Sequence, residues 1–209
     1  MRLEVRDLAA IRGEERIFSD IAFTLAAGEA LVVTGRNGSG KSTLIRTVAG
    51  LLPQDAGTVT ATLSGAVIPR AAEACHYLGH RNAMKRELTV EENLIFWKHF
   101  MGDFAGGSGL DPEEAAETLG LATLLHLPFG YLSAGQQRRM AMAKLLTAWR
   151  PIWLLDEPTA ALDVQSEAIF GGLMRAHREK GGIVIAATHQ PLGLEDAQGL
   201  VTKGFEYAD

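Results

Sequence analysis

The chain has 209 residues, of which 47% are hydrophobic and one is cysteine, and its formal net charge is −5. This length and apolar content support a folded core, the lone Cys75 excludes an internal disulfide framework, and the acidic balance provides no basic footprint for nucleic acid. No apolar run approaches the roughly 18 residues of a membrane-spanning helix, and the first residues lack the apolar stretch of a secretory signal. We therefore expect a cytoplasmic protein without a transmembrane segment.

Four apolar segments predict the sheet. Apolar and polar residues alternate over 21–25, which predicts a half-exposed strand, and a turn at Gly28 leads into a continuous apolar run typical of a buried strand. Two later runs, 152–155 and 183–187, each follow a helical stretch. Helices that alternate with buried strands indicate parallel pairing, so the predicted fold class is α/β.

A motif of the form G-x-x-x-x-G-K-[S/T] lies between the first buried run and an apolar helical stretch. Its glycines let backbone N–H groups surround phosphate oxygens, the helix start adds positive potential, Lys41 reaches the terminal phosphates and Ser42 can ligate magnesium. A glycine-rich turn without a ligand would not need the strand before the motif and the helix after it. The sequence therefore predicts a site for a nucleoside triphosphate and Mg²⁺, with the base left open, formed by Gly35, Arg36, Asn37, Gly38, Ser39, Gly40, Lys41, Ser42 and Thr43.

The middle of the chain, 80–149, is predicted to be mostly helical. Thr89 begins a capping box of the Ser/Thr-x-x-Glu form, and Asp111 begins a second helix start with proline and glutamates behind it. Residues 102–109, GDFAGGSG, are predicted to form a flexible loop. We expect one domain over 1–209, with a nucleotide-binding core at about 1–79 and 150–209 and a helical subdomain at about 80–149.

Two adjacent carboxylates, Asp156 and Glu157, end the apolar run 152–155. Neighbouring residues of a strand point to opposite faces, but a turn at the strand end can deliver both to one site. Asp156 would then hold the magnesium shell, and Glu157 would orient or deprotonate the water that attacks the γ-phosphate. The alternative, an acidic helix start, becomes less favourable beside a phosphate-binding motif.

Further polar residues follow in a fixed order. Ser133 and Gly135 begin a predicted helix in the segment LSAGQ, Asp163 ends AALD, and His189 follows a buried run in ATHQ. With the phosphate loop and the paired carboxylates, this order and spacing resemble the ATP-binding cassette family over nearly the whole chain. Ala134, where the family carries glycine, is a mild departure.

The resemblance implies a P-loop ATPase fold with a RecA-like parallel-sheet core, an antiparallel β subdomain and a helical subdomain. It also implies a head-to-tail dimer with a second copy of the chain. In that dimer Ser133, Gly135 and Gln136 of one copy contact the ATP held by Lys41 of the other, and Asp163 connects the two sites.

Two histidines occupy positions that matter by this resemblance. His189 is expected to contact the γ-phosphate and to hold the water and Glu157 in place, although a strand histidine is more often a core residue. His80 stands where the family has a glutamine that senses magnesium and the attacking water. An imidazole can both accept and donate, so it can keep this role; the alternative is that Arg81 or Asn82 makes the polar contact.

Like His80, the residue expected to stack on adenine departs from the family pattern. The family places an aromatic residue on adenine shortly after its first strand, and Arg12 aligns with that position. A guanidinium plane can stack on a base, so Arg12 is preferred to Phe18, whose spacing favours core packing.

The short single cassette and the segments YLGHRNAMKRELTVEENLIFW and ATHQPL are similar to the ATP-binding subunits of haem exporters of cytochrome c maturation. This resemblance implies an ATPase on the cytoplasmic face of the plasma membrane that works with polytopic membrane subunits to release a haem-loaded chaperone. The alternative is an exporter for another cargo. The apolar helix at 94–101 either packs within the helical region or lines a groove for a helix of the membrane subunit.

Overall fold

The computed structural model describes residues 1–160, 162–190, 192–194 and 196–204. The chain divides into two compact units. The first unit is Met1–Tyr77, Pro151–Pro158 and Met174–Asp209, and the second is Leu78–Arg150 and Thr159–Leu173. Residues 159–173, which the sequence assigns to the nucleotide-binding core, group with the second unit, where Asp163 interacts electrostatically with Arg139.

The strands are β1 (Arg2–Arg12), β2 (Glu15–Ala26), β3 (Ala30–Thr34), β4 (Ala56–Leu63), β5 (Ala66–Val67), β6 (Cys75–Leu78), β7 (Ile152–Asp156), β8 (Ile183–Ala187) and β9 (Gln198–Val201). The α-helices are α1 (Lys41–Val48), α2 (Val90–Met101), α3 (Pro112–Thr118), α4 (Ala134–Thr147) and α5 (Val164–Glu179). Short 3₁₀ turns lie at Ala71–Ala74, Ala122–Leu124 and Phe129–Tyr131. No helix within the described ranges is long and apolar enough to cross a membrane.

A parallel sheet in the first unit has the strand order β6-β7-β8-β3-β9. The pairs β7–β8, β3–β8 and β3–β9 are parallel, and every residue of β7 and β8 is buried. Helix α1 contacts β7 and β8. A continuous apolar strand is stable only when both of its faces are covered, so the sequence prediction of buried parallel strands is confirmed.

The first unit also contains an antiparallel sheet in the order β2-β1-β4-β5. Leu3 lies opposite Leu25 on β2 and Ala61 on β4, and all three side chains are fully buried. The alternation predicted for 21–25 is present, with Leu25 buried and Ile21 half-buried. Together the two sheets confirm the P-loop ATPase class with a separate antiparallel layer.

His177 is a buried histidine in the core of the first unit. His177 stacks on Trp153 with ring centroids 4.1 Å apart, and its Nε2 lies 3.3 Å from the Pro151 carbonyl oxygen. Burial lowers the pKa of His177 to about 4, since a charged ring would lose its hydration. The imidazole is therefore neutral near pH 7 and packs from α5 against Trp153 of β7.

In the second unit α2, α3 and α4 pack on one another. Thr89 caps α2 with the predicted capping box, in which the Glu92 amide donates to Thr89 Oγ1 at 3.1 Å. Asp111 is the N-cap of α3: its amide donates to Glu114 Oε2 at 3.2 Å, and Pro112 lies in the first turn. Both helix starts were predicted correctly because a cap depends on residues close in sequence.

The loop 102–109 differs from the sequence prediction of a flexible segment. Asp103 Oδ1 accepts hydrogen bonds from the Gly109 amide at 2.8 Å and the Trp149 amide at 2.7 Å. Arg150 donates to the Gly102 carbonyl oxygen at 2.7 Å. The loop is held in part by contacts with Trp149 and Arg150, 46 and 48 positions from their partners along the chain, which local composition does not reveal.

Candidate functional site

The phosphate loop runs from the end of β3 to the start of α1. Gly40 precedes the helix with φ 93°, and a side chain there would bring its Cβ within 2.6 Å of Ile17. At Gly35 a Cβ would lie 2.4 Å from the Thr202 carbonyl oxygen. These two glycines therefore let the loop pass close to β2 and β9 while it curls around the helix start, where free N–H groups can meet an anion.

Lys41 extends over this loop. Its ammonium donates to the carbonyl oxygens of Gly35 at 2.8 Å and Arg36 at 3.2 Å, and it lies 2.9 Å from Nε2 of His189. An ammonium group can only donate, so Nε2 of His189 would accept in this contact, whereas it would have to donate to an amide oxygen; its role depends on the tautomer of the ring. Asn37 Oδ1 lies 3.1 Å from the same nitrogen. The predicted residues Lys41, Asn37 and His189 thus meet at one point.

The metal-binding pair predicted from the sequence is also assembled. Ser42 Oγ donates to Asp156 Oδ1 at 2.8 Å, and Asp156 is only 1% exposed. A hydroxyl and a carboxylate oxygen are the hard ligands that Mg²⁺ prefers. The buried negative charge next to a hydroxyl fits a divalent cation, so the residues present suit Mg²⁺.

Glu157 is delivered to the same site by an unusual backbone turn. Its φ is 47°, in the left-handed region that non-glycine residues seldom adopt, while its amide still donates to the Ala187 carbonyl oxygen at 2.9 Å. Its Oε1 lies 3.8 Å from His189 Nε2. The turn after Asp156 places both carboxylates at one end of the sheet, as the sequence analysis expected.

The predicted residues of the LSAGQ segment and Asp163 lie in the second unit. Ser133 caps α4: the Gln136 amide donates to Ser133 Oγ at 3.3 Å, and Gln136 Oε1 accepts from the Ser133 amide at 2.8 Å. Gly135 lies in the first turn of the helix. Asp163 accepts from the Ser166 amide at 2.7 Å, which is the main reason that its pKa is lowered.

His80 and Arg12, where the chain differs from the family pattern, both lie within the described residues. His80 and Arg81 are exposed, whereas Asn82 is half-buried and its Oδ1 lies 3.5 Å from Arg138. Arg138 also donates to the Gly79 carbonyl oxygen at 2.7 Å. The segment is therefore anchored through Gly79 and Asn82, while the side chain of His80 is left accessible.

At the proposed adenine position, Arg12 ends β1 and is exposed, whereas Phe18 is 9% exposed and forms part of the core. This burial agrees with the packing role that its spacing indicates. It leaves the guanidinium of Arg12 as the accessible planar group of the two.

Comparison with known proteins decides the family. The ABC transporter family model matches residues 18–160. The chain belongs to the ABC transporter family. Within this family it is 63% identical over 205 residues to the cytochrome c biogenesis ATP-binding export protein CcmA of Rhizobium meliloti (strain 1021), which covers 98% of this chain and 99% of the relative. The CcmA protein of Agrobacterium fabrum (strain C58) is 63% identical over 206 residues, which cover 98% and 97%.

Solved ABC structures share the fold. An ABC transporter ATP-binding protein from Pyrococcus furiosus superimposes with a TM-score of 0.79 over 97% of this chain and 98% of that one, at 24% identity. An ATP-binding subunit of another ABC transporter gives a TM-score of 0.81 over 97% and 86%, at 22% identity. The resemblance inferred from the motifs is confirmed, and the chain is an ATP-binding ABC ATPase.

Sequence analysis missed three residues that support the ABC site. Thr202 Oγ1 lies 2.6 Å from Ser39 Oγ, so it supports the phosphate loop from just after the end of β9. Tyr77 and Arg46 form a hydrogen-bonded pair beside Asp156. Only Arg46 had a usable signal, since it lies four residues after Ser42 and so on the same face of α1; the other two come from distant strands.

Proposed function

We propose that this chain hydrolyses ATP to drive an exporter of cytochrome c biogenesis. The observation that carries the chemistry is the convergence of Lys41, His189 and Glu157 with the Ser42–Asp156 pair at one end of the parallel sheet. The pathway is inferred from relatives that bear the name cytochrome c biogenesis ATP-binding export protein.

The residues divide the work of hydrolysis. Lys41 stabilises the negative charge of the terminal phosphates, and Glu157 orients or deprotonates the attacking water. Glu157 and His189 are 3.8 Å apart, which is too long for a hydrogen bond but close enough for one water to contact both. Ser42 and Asp156 would hold Mg²⁺, which supplies positive charge to the phosphate oxygens.

A second copy of the chain would complete the site. Ser133 Oγ accepts a hydrogen bond from its own helix, so its proton remains available for a phosphate oxygen. Ser133 is exposed and lies at the positive end of α4. In the head-to-tail dimer, Ser133, Gly135 and Gln136 would face the ATP of the partner, with Asp163 between the two sites.

The membrane partner would contact an aromatic surface on α2. Phe96 is 42% exposed and Phe100 67% exposed, and their rings stack with centroids 5.6 Å apart. Trp97 packs edge-on against both rings, while Leu94 is buried. Part of the predicted apolar helix is thus covered within the second unit, and the exposed part suits a helix of a polytopic membrane subunit.

By this proposal the chain acts peripherally on the cytoplasmic face of the plasma membrane. It would contact the haem chaperone only through the membrane subunits, and no role for nucleic acid is proposed. His80 would take the magnesium-sensing position, and Arg12 would stack on adenine.

The Glu157→Gln variant tests the chemistry. We expect ATP turnover to fall by at least ~100-fold, the lower end of the ~100- to 10,000-fold that general acid–base catalysis contributes, while ATP binding is retained and a dimer accumulates with ATP and magnesium. Phosphate release, nucleotide binding and size-exclusion chromatography measure the three effects. Glu117→Gln on the exposed face of α3 is the matched control. Undiminished turnover by Glu157→Gln would remove Glu157 from its role.

The same variant tests the cargo. Pulled down from detergent-solubilised membranes with ATP and magnesium, it should retain polytopic membrane subunits and a haem-containing partner, identified by mass spectrometry and haem absorbance. Membrane subunits without haem would indicate an exporter for a different cargo. Ribosomes or DNA-repair proteins would contradict the exporter function altogether.

A further inference from the structure

A short chain of hydrogen bonds leads from α1 through β6 to the metal-binding carboxylate. Arg46 Nε on α1 donates to the hydroxyl of Tyr77 at 3.0 Å, and this hydroxyl lies 3.4 Å from Oδ2 of Asp156. Strands β6 and β7, which carry Tyr77 and Asp156, are neighbours in the sheet. The three residues come from three elements and meet only in the folded chain.

The chemistry of the groups fixes the direction of each bond. A guanidinium has no acceptor, so the Tyr77 oxygen accepts from Arg46. The single proton of the hydroxyl then remains for Asp156, whose carboxylate can only accept. Since Ser42 Oγ donates to Oδ1, each oxygen of Asp156 has its own donor. Two donors on opposite oxygens restrict rotation of the carboxylate about its terminal bond.

We propose that Tyr77 is a positioning residue for ATP hydrolysis, which holds the Asp156 carboxylate in the orientation that meets magnesium and is itself oriented by Arg46. The inference rests on the proposed function, because it takes Ser42 and Asp156 as the magnesium-binding pair. Tyr77 contacts neither nucleotide nor metal in this scheme. It acts through Asp156, much as outer hydrogen-bond partners orient the ligands of other metal sites.

The size of the effect follows from the geometry. At 3.4 Å the bond from Tyr77 to Asp156 is longer than the usual 2.7–2.8 Å of O–H···O bonds, so the contribution is that of a weak bond. Loss of such a bond corresponds to about a 2- to 10-fold change in an equilibrium constant. We therefore expect a change in magnesium dependence and retention of ATP binding.

The test uses Tyr77→Phe, which keeps the ring and removes only the hydroxyl. Binding of a fluorescent ATP analogue is titrated in EDTA and in excess magnesium, and ATPase activity is measured against free magnesium. We expect wild-type affinity in EDTA, about 2- to 10-fold less gain of affinity from magnesium, and a similar rise in the magnesium concentration for half-maximal activity. Tyr131→Phe is the matched control, since Tyr131 is 80% exposed.

Arg46→Met provides an independent route to the same hydroxyl. It should reproduce the loss of magnesium response, and the double variant with Tyr77→Phe should lose little more than either single variant, because both changes act through one bond. Additive losses in the double variant would contradict this chain of hydrogen bonds.

The outcomes separate this inference from the proposed function. Equal magnesium responses in wild type and Tyr77→Phe would overturn the positioning role alone. An equal loss of affinity in EDTA and in magnesium would also overturn it, since that pattern is purely structural. If wild-type ATP binding does not respond to magnesium, the magnesium pair and the inference are both wrong.

Discussion

The segments 35–43 and 102–109 are both rich in glycine and both connect elements of regular structure, yet Gly38 of the first and Gly109 of the second have opposite surroundings. In the first segment Gly38 is exposed, has φ 83°, and has no atom within 4 Å of the position where a Cβ would stand. In the second, a Cβ on Gly109 would lie 2.4 Å from the backbone of Thr147. One glycine faces open space and the other fills a close contact.

The surroundings of the two segments explain this difference. The phosphate loop precedes a helix start whose N–H groups suit an anion, and Lys41 lies over it. The 102–109 loop instead closes on its own protein through Asp103, with Trp149 packed beneath Gly107. Gly38 therefore provides backbone shape and accessibility in the phosphate loop, whereas Gly109 is required because a side chain would not fit. Gly35 and Gly40 combine both properties, since each has a positive φ and a close contact.

The largest effect expected from this comparison is that of Gly109→Ala. The added methyl would meet backbone atoms, which cannot rotate away, so we expect the free energy of unfolding to fall by about 3 kcal/mol, the upper range for overpacking. Urea denaturation monitored by circular dichroism measures this loss.

Gly199→Ala is the control for that variant, because a Cβ at Gly199 meets no atom within 4 Å. Its free energy of unfolding should stay within about 0.5 kcal/mol of the wild-type value. If Gly109→Ala also kept the midpoint, the 102–109 loop would move freely, and the flexible segment predicted from composition would be correct after all.

Sequence alone was sufficient where the signal is local. The capping box at Thr89 and the buried strands β7 and β8 depend on residues within a few positions of one another, so their patterns could be interpreted directly. The loop at 102–109 was misjudged because the partner of Asp103 is Trp149, 46 residues away. Composition reports glycine content and contains no information about such a partner.

The second prediction concerns Asp103, which fixes the packed loop. Its Oδ1 accepts from the amides of Gly109 and Trp149, so Asp103→Ala should lower the free energy of unfolding by about 2 kcal/mol, as expected for loss of bonds to a charged acceptor. Asp103→Asn keeps an oxygen acceptor and should lose about half as much. The same urea experiment compares the two, and equal losses would show that charge, and not the acceptor, holds the loop.

In the candidate site, too, residues with a local sequence signal were predicted and a residue without one was missed. Lys41, Ser42, Asp156 and Glu157 were identified because the motif and the strand end are each continuous in sequence. Tyr77 was missed as a site residue because its relation to Asp156 arises only when β6 and β7 become neighbours. Residues that act directly on phosphate are thus easier to predict than residues that orient them.

The smallest change in stability is expected for Gly38→Ala and Gly106→Ala, one glycine from each segment. Gly38 and Gly106 are a matched pair: both have positive φ, 83° and 96°, and a Cβ on either meets no atom within 4 Å. Substitution by alanine should cost each about 1 kcal/mol of unfolding free energy, the cost of a left-handed backbone. Equal urea midpoints for the two variants would check this.

Nucleotide binding should then distinguish Gly38→Ala from Gly106→Ala. Relaxation of the strained backbone at Gly38 turns neighbouring N–H groups away from the phosphate position, so we expect ATP affinity to fall at least ~10-fold, equivalent to one lost charged hydrogen bond. Gly106→Ala should bind ATP as the wild type does. Both variants are expected to lose the same free energy of unfolding, so unequal ATP affinity can come only from the position of the loop relative to the ligand. Equal affinity would mean that Gly38 is not needed for phosphate binding.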